Sequence, residues 1–256
     1  MRSVEPLTAR MVRVVLGGDD LEGFEIEQPT QHIKVAFPLP GETEPRMPQP
    51  SPDGSPPPPD QPRPVVRTYT PRYHDHAARA LTVDFVIHGE GPASEWAERA
   101  RPGDRLLVAG PGGRFQLGLE PAHYVVAGDE SALPAIGTLL EALPRSARAD
   151  VLVEVVDEGD HLDLAGRADA GLRPEVTWLH RGPSAPAGRL LEQALRAVDL
   201  GREDRVWVAC EALVVRDVRR HLLVDRGLDR GAILTRGYWR SGEANHPDHD
   251  YGEDAA

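Results

Sequence analysis

Short apolar runs alternate with amphipathic stretches through the second half of this chain, and that alternation restricts its fold more than any other feature. Residues 151–156, 176–179 and 206–209 are brief and rich in valine and other apolar residues, as strands buried on both faces are. Between the last two, Leu190, Leu191, Ala194, Leu195 and Val198 recur at helical spacing; a further helical pattern covers 212–226, and 233–239 reads as a last strand. Strands joined through helices run parallel, so this half is predicted to be a helix-covered parallel sheet of α/β type. Its first strand is read in Tyr124, Val125, Val126 and Ala127, which lead through a turn of Gly128, Asp129, Glu130, Ser131 and Ala132 into a helix over 133–143. The usual glycine-rich fingerprint is missing from that turn. Asp129 and Glu130 would repel a pyrophosphate if they faced it; as carboxylate caps of the following helix they need no ligand.

The second feature is chemical. Arg67, Thr68, Tyr69, Thr70, Pro71 and Arg72 put two guanidinium groups, an aromatic ring and two hydroxyls into six residues. A flavin dinucleotide asks for that set: charged forks for its pyrophosphate, a stacking partner for its ring system and a small hydrogen-bonding group at its N5 edge. On a regular strand Arg67 and Tyr69 face one way and Thr68 and Thr70 the other, unless a bulge re-aims one of them. A solvated strand face is the competing reading. Further along, Val83, Phe85 and Ile87 alternate with polar neighbours, Gly89 and Gly91 permit close backbone approach, and 93–100 reads as a helix whose first amides can hold a phosphate, with Ser94 as an extra donor. His88 and Trp96 are also readable as ordinary packing residues, Trp96 above all.

Taken in order, these segments resemble the siderophore-interacting protein family, the flavin-dependent ferric-siderophore reductases related to ferredoxin reductases. The resemblance runs nearly end to end. Residues 4–24, with Leu7, Thr8, Met11, Val12, Arg13, Val14, Gly17, Gly18, Asp19, Asp20, Leu21 and Phe24, look like the family's first hairpin, and 32–38 looks like its second strand. The box at Arg67, the box from His88 to Trp96, the box from Gly128 to Ala135 and the closing Gly237, Tyr238, Trp239 and Arg240 stand in register. The resemblance implies an N-terminal antiparallel FAD-binding β-barrel over 1–119 and a Rossmann-like parallel-sheet NAD(P)H-binding domain over 120–240. A proline-heavy insertion at 39–64, containing Pro56, Pro57, Pro58 and Pro59, reads as a mobile loop interrupting the barrel, and Gly110–Gly113 with 118–121 as the hinge between domains. The acidic tail 241–256 is read as disordered, although His246, Asp248, His249 and Asp250 mimic metal ligands.

The same resemblance assigns roles. Arg67 contacts the flavin pyrophosphate, Tyr69 the ring and Thr70 the N5 edge, the last two as catalytic residues; Thr68 lies among them and Arg72 adds a second phosphate contact. His88, Gly91, Pro92, Ala93 and Ser94 complete the FAD site, while Gly128, Asp129, Glu130, Ser131 and Ala132 border the nicotinamide cofactor. Where the family reads Ala-Gly-Glu, this chain has Ala209, Cys210 and Glu211. Cys210 either narrows the approach of nicotinamide to flavin or is a small buried hydrophobe. Lys34, Arg114 and Arg240 are candidates for steering an anionic iron chelate; no metal ligands are expected in the protein itself.

A net charge of −12 argues against nucleic acid and anionic membranes as partners. Lys34 is the sole lysine among 29 basic residues, a bias that GC-rich coding explains as well as chemistry does. One cysteine excludes an internal disulfide and a cysteine metal site. With no apolar signal core at the start and no run long enough to span a bilayer, a cytoplasmic monomer of two domains is expected. Nicotinamide delivers two electrons as hydride and Fe(III) accepts one, so a flavin is needed between them. Hard oxygen donors hold Fe(II) less tightly, so reduction releases the metal to the cytoplasm for iron assimilation. The rival readings are a ferredoxin-fed or general flavin reductase on the same fold, and a non-enzymatic ferric-siderophore carrier. Asp157 and Glu158, after the second parallel strand, favour a ribose diol and hence NADH; Arg181, after the third, opposes that choice.

Overall fold

The computed structural model describes residues 1–48, 57–58, 60–89, 91–164, 172, 174–247 and 249–253. The N-terminal part contains β1 (Ser3–Thr8), β2 (Met11–Gly17), β3 (His32–Phe37), β4 (Val65–Tyr69), β5 (Pro71–Asp75), β6 (Ala80–Val86), helix α1 (Pro92–Arg99) and β7 (Leu107–Gly112). These strands form two antiparallel sheets, ordered β1-β2-β6-β5 and β4-β3-β7. Period-two alternation aims Val14 and Leu16 of β2, Ile33, Val35 and Phe37 of β3, and Leu81, Val83 and Phe85 of β6 into one shared core. Each such side chain taken fully out of water contributes about 1.5–3 kcal/mol. Among the described residues no hydrogen-bonded ladder joins the two sheets, so the expected barrel is present in open form. The chain changes sheet at Thr70, the one residue between β4 and β5.

The C-terminal part is a five-stranded parallel sheet ordered β10-β9-β8-β11-β12, built from β8 (His123–Asp129), α2 (Leu133–Ala142), β9 (Arg148–Val155), β10 (Glu175–His180), α3 (Arg189–Ala197), β11 (Arg205–Glu211), α4 (Ala212–Arg220) and β12 (Ile233–Trp239). Both faces are covered: Val126, Val151, Val153 and Trp207 pack with Leu139 and Ile136 of α2, and Val125, Ala127, Leu152 and Val208 with Leu191 of α3 and Val215 of α4. Strand order reverses between β8 and β11, the switch point at which such sheets open a crevice for ligands. Two buried carboxylates fix the helices on one side. Glu154 of β9 accepts from the backbone N–H of Gly188 (2.5 Å) and Leu191 (2.8 Å) at the start of α3, and Glu211 accepts from those of Leu213 (2.7 Å) and Val214 (3.1 Å) in α4.

The two parts are joined by charge as well as by apolar contact. Met11 and Leu117 enter the α2-side core, and the Arg10 guanidinium bridges Asp157 (2.9 Å) and the fully buried Asp160 (2.7 Å). The backbone N–H of Ala9 donates to Gly159, and that of Thr30 to the Thr138 hydroxyl.

Three expectations are revised. Gly110 and Gly112 are not hinge residues but part of β7, which pairs with β3; a Cβ at Gly112 would lie 2.9 Å from the His32 ring, so close strand packing explains the glycine. The tail's described residues, 241–247 and 249–253, fold back on the parallel sheet instead of trailing: Asp250 O accepts from Gly237 N, Thr235 donates to Tyr251 O, and Arg219 bonds Glu253. Acidic composition suggested disorder, but arginines of α4 and β12 supply its partners, Arg236 lying 4.0 Å over the Tyr251 ring. The proline-heavy insertion forms no strand at 39–48, 57–58 or 60–64; Pro56, Pro59 and the rest of it lie outside the described residues, as does Asp248.

Candidate functional site at the junction of the two sheets

The Arg67–Arg72 box divides at Thr70 into three environments. In the ladder of β3 with β4, Tyr69 lies opposite Ile33, Arg67 opposite Val35, and Thr68 opposite Lys34. Thr68 is therefore on the outer face, exposed, and accepts from Lys34 Nζ at 3.1 Å. Tyr69 turns inward and tilts onto Phe85 (4.6 Å between centroids) with Phe37 at its edge; burial raises its phenol pKa, keeping it neutral. Arg67, half-buried, donates to Val66 O (2.9 Å) and to Asn245 of the returning tail (3.3 Å). Thr70 is buried, 8% exposed, and lies near Tyr238 of β12; burial raises the Tyr238 phenol pKa and the neighbouring Thr70 opposes that rise.

Arg72 is placed apart from the other box residues. It is 6% exposed, bonds Glu141 of α2 at 2.8 Å, and stacks over Tyr73, while one guanidinium nitrogen has no partner. Gly137 of α2 makes the room: a Cβ there would sit 2.7 Å from the guanidinium carbon. This arginine links the two parts of the molecule rather than joining Arg67 on an outer surface.

The second box forms a helix start suited to an anion. Gly91 at the N-cap of α1 has φ +98°, Pro92 takes the first helical position, and no side chain caps the helix, so the amides of Ala93 and Ser94 at its start have no capping group. Ser94 Oγ is engaged by the His88 N–H at 3.1 Å, and His88 itself is exposed. Trp96 packs on Phe37 and Phe85, the rings that also hold Tyr69, which ties the helix and the box to one aromatic cluster. Ordinary packing is thus the role of Trp96. An uncapped helix start on an element that packs against β4, the strand of Arg67 and Tyr69, fits a flavin dinucleotide, which brings a pyrophosphate and a planar ring together.

The third box closes on itself. Asp129 is 1% exposed; its Oδ1 accepts from Ser131 N (2.9 Å) and Ser131 Oγ (2.5 Å), its Oδ2 from Trp239 Nε1 (2.7 Å). Burial pushes its pKa up to about 6, with adjacent Glu130 acting the same way and the bonds from Ser131 and Trp239 opposing. Glu130 is buried and paired with Arg181, Ala132 is buried, and Gly128 allows β8 and β11 to meet, since a Cβ there would lie 2.8 Å from Ala209 O. Asp129 thus caps the following turn, as a carboxylate at that position can, and reaches further, to the closing strand. Cys210 is fully buried among the residues packed under α3 and α4, its thiol pKa raised well up by burial, and it is the small hydrophobe.

Of the residues considered for the iron chelate, Lys34 lies beside Thr68, Arg240 is bonded to Glu243 (3.1 Å), and Arg114 is exposed just past β7. Asp157 is held by Arg10 below the usual carboxylate range and also accepts from Gly159 N, so this acid is engaged at the interface. Tyr238, Trp239, Arg10 and Glu141 were not singled out by role; the first two carried a signal, the closing aromatic box, while the last two carried none. Among the described residues no three His, Cys, Asp or Glu side chains form a metal-ligand group, and no helix is long and apolar enough to cross a membrane.

Comparison with known proteins agrees with this geometry. Residues 1–115 match the siderophore-interacting FAD-binding domain and 121–242 the siderophore-interacting protein domain. A siderophore utilization protein from T. fusca has the same structure with a TM-score of 0.84 at 40% identity, over 97% of this chain and 94% of that one. The ferric vibriobactin reductase of Vibrio cholerae is 34% identical over 95% of this chain and 89% of its own length. The NADPH-dependent ferric-chelate reductase of Escherichia coli is 32% identical over 93% and 90%. With both halves matched in order, and with an FAD-binding domain as the first of them, this chain belongs to the siderophore-interacting protein family.

Proposed function

We propose that this protein is an FAD-dependent NAD(P)H:ferric-siderophore oxidoreductase that releases Fe(II) in the cytoplasm. The observation that carries the proposal is the placement of buried Thr70, at the crossing between the two antiparallel sheets, near Tyr238 of β12. It brings the flavin-type box of the antiparallel part to the closing strand of the parallel part, where a donor and a flavin edge have to meet. The E. coli and V. cholerae relatives, named as ferric reductases, support the same chemistry.

When bound, FAD supplies the conversion of one hydride into single electrons. The protein's residues do the rest. The uncapped start of α1 and the Arg67 guanidinium would hold the pyrophosphate, Tyr69 would lie against the ring system, and Thr70 would offer its hydroxyl to the N5 edge. Lys34 beside Thr68, Arg114 just past β7 and Arg240 just past β12 are the cations proposed to steer an anionic ferric chelate toward this strongly acidic molecule. The iron stays on its own ligands until reduced, so the protein needs no metal site of its own.

The donor is NADPH in preference to NADH. Asp157, the acid expected to select a ribose diol, is engaged by Arg10, and the E. coli relative is named as NADPH-dependent. Steady-state release of Fe(II) from a ferric siderophore, read with an Fe(II) trap, tests the whole assignment. NADPH should sustain turnover with a higher kcat/KM than NADH. Turnover with reduced ferredoxin alone would make the enzyme partner-fed, and chelate binding without turnover would make it a carrier.

A further inference from the structure

We propose that Asp129 is a positioning residue: its carboxylate holds the indole of Trp239, and through the closing strand this seats Tyr238 against Thr70. The proposal rests on the reading that Thr70 faces the flavin edge. Its geometry does not.

The pairing of β11 with β12 is regular from Val206 with Ile233 to Cys210 with Gly237, then slips, so that Glu211 opposes Trp239 and Tyr238 is left over. A residue added to one strand in this way re-aims side chains, and such irregularities concentrate beside active sites. Here the slip presents two adjacent aromatic residues to two partners in other elements. Trp239 Nε1 reaches Asp129 Oδ2 at the end of β8, 2.7 Å away, while Tyr238 lies near Thr70 at the crossing between sheets. Among the described residues Asp129 is the one hydrogen-bond partner of the Trp239 indole, and the opposite carboxylate oxygen is held by Ser131 through both its N–H and its hydroxyl. The carboxylate is therefore fixed in orientation, and the indole is fixed by it.

Asp129 is an expensive way to cap a turn. It is 1% exposed, and titratable groups face it from every side: Glu130 beside it, Arg181 after β10 paired to Glu130, Glu154 and Glu211 on the neighbouring strands, and the neutral Cys210 and Tyr238. Burial raises its pKa to about 6 from an ordinary 3.8. The direction of the linkage follows. A carboxyl whose folded pKa lies above its unfolded value adds stability below the unfolded pKa and loses it as pH rises through the folded one, so at neutral pH the ionised Asp129 lowers stability. Asparagine has the same shape without the charge, yet cannot accept from Ser131 and Trp239 together with its amide nitrogen facing one of them. A cap alone predicts that Asp129→Asn weakens the fold and little else. A positioning carboxylate predicts a fold as stable or more stable at neutral pH, with the indole released.

The test has two arms on the full-length chain. In the flavin-free protein, the Trp239 indole N–H resonance, assigned by its loss in Trp239→Phe, should titrate with a midpoint near pH 6 and stop titrating in Asp129→Asn, whose Tm at pH 7.5 equals or exceeds that of the parent. In the FAD-loaded protein, the nicotinamide-driven bleaching rate should fall about tenfold in Asp129→Asn at pH 7.5 and lose its decline below pH 6. Trp239→Phe should do the same, and the double variant should be no slower than either single one. An indole resonance that ignores Asp129, a lower Tm with unchanged bleaching, or multiplicative losses in the double variant would each overturn the proposal. If the parent binds no FAD, the assignment of function fails while the first arm still decides the Asp129–Trp239 link.

Discussion

Single residues carry the site, and their neighbours decide what each can do. Arg67 and Tyr69 share the inner face of β4 as strand alternation requires, yet Tyr69 is held by Phe85 while Arg67 reaches out to Asn245. Replacing both, Arg67→Ala with Tyr69→Ala, should raise the FAD dissociation constant at least a hundredfold, read by retention of yellow flavin on desalting, with the fold retained; unchanged retention would remove this segment from the flavin site. Arg72 shows where reading residues in sequence stops. Nothing in the box distinguishes it from Arg67, because what buries it, Glu141 and Gly137, lies far along the chain. Its charge is 6% exposed, so Glu141→Ala leaves a buried guanidinium without its acid and should cost on the order of 2 kcal/mol in denaturant unfolding. An unchanged midpoint would mean that Arg72 finds solvent or another partner.

At the scale of elements, period and spacing were informative where the elements are regular. The sheet strands β8 to β12 and the helices between them were legible because buried parallel strands are continuously apolar and their crossovers carry helical stripes. The glycines of β7 were not, since a glycine that admits the His32 ring reads the same as one that makes a turn. The start of α1 depends on such a glycine in its other role. Gly91 at φ +98° is strained for any L-residue, so Gly91→Ala should tilt the first turn and weaken FAD binding about tenfold while leaving the aromatic cluster under Trp96 intact. Equal affinity in that variant would place the phosphate elsewhere.

For the molecule as a whole, the junction between its two parts is built from pairs that no local pattern reveals. Arg10, in the turn between β1 and β2, holds Asp157 and Asp160 after β9, which anchors the first hairpin on the nucleotide half. Arg10→Ala strands the fully buried Asp160 without a cation and should cost on the order of 3 kcal/mol, with hydrogen exchange rising first in the β1–β2 hairpin. It also frees Asp157, so the same variant should shift donor preference toward NADH. The folding back of the tail onto Arg219 and Arg236 belongs to this scale too: acidic residues read as solvated only until their arginine partners are known. The central claim is electron passage from NAD(P)H through FAD to Fe(III). Its most direct test is an anaerobic visible spectrum of the FAD-loaded protein before and after NADPH, and again after a ferric siderophore with an Fe(II) trap. Bleaching by the nucleotide followed by flavin reoxidation and trapped Fe(II) is the predicted result; bound flavin that neither NADPH nor NADH bleaches would contradict it.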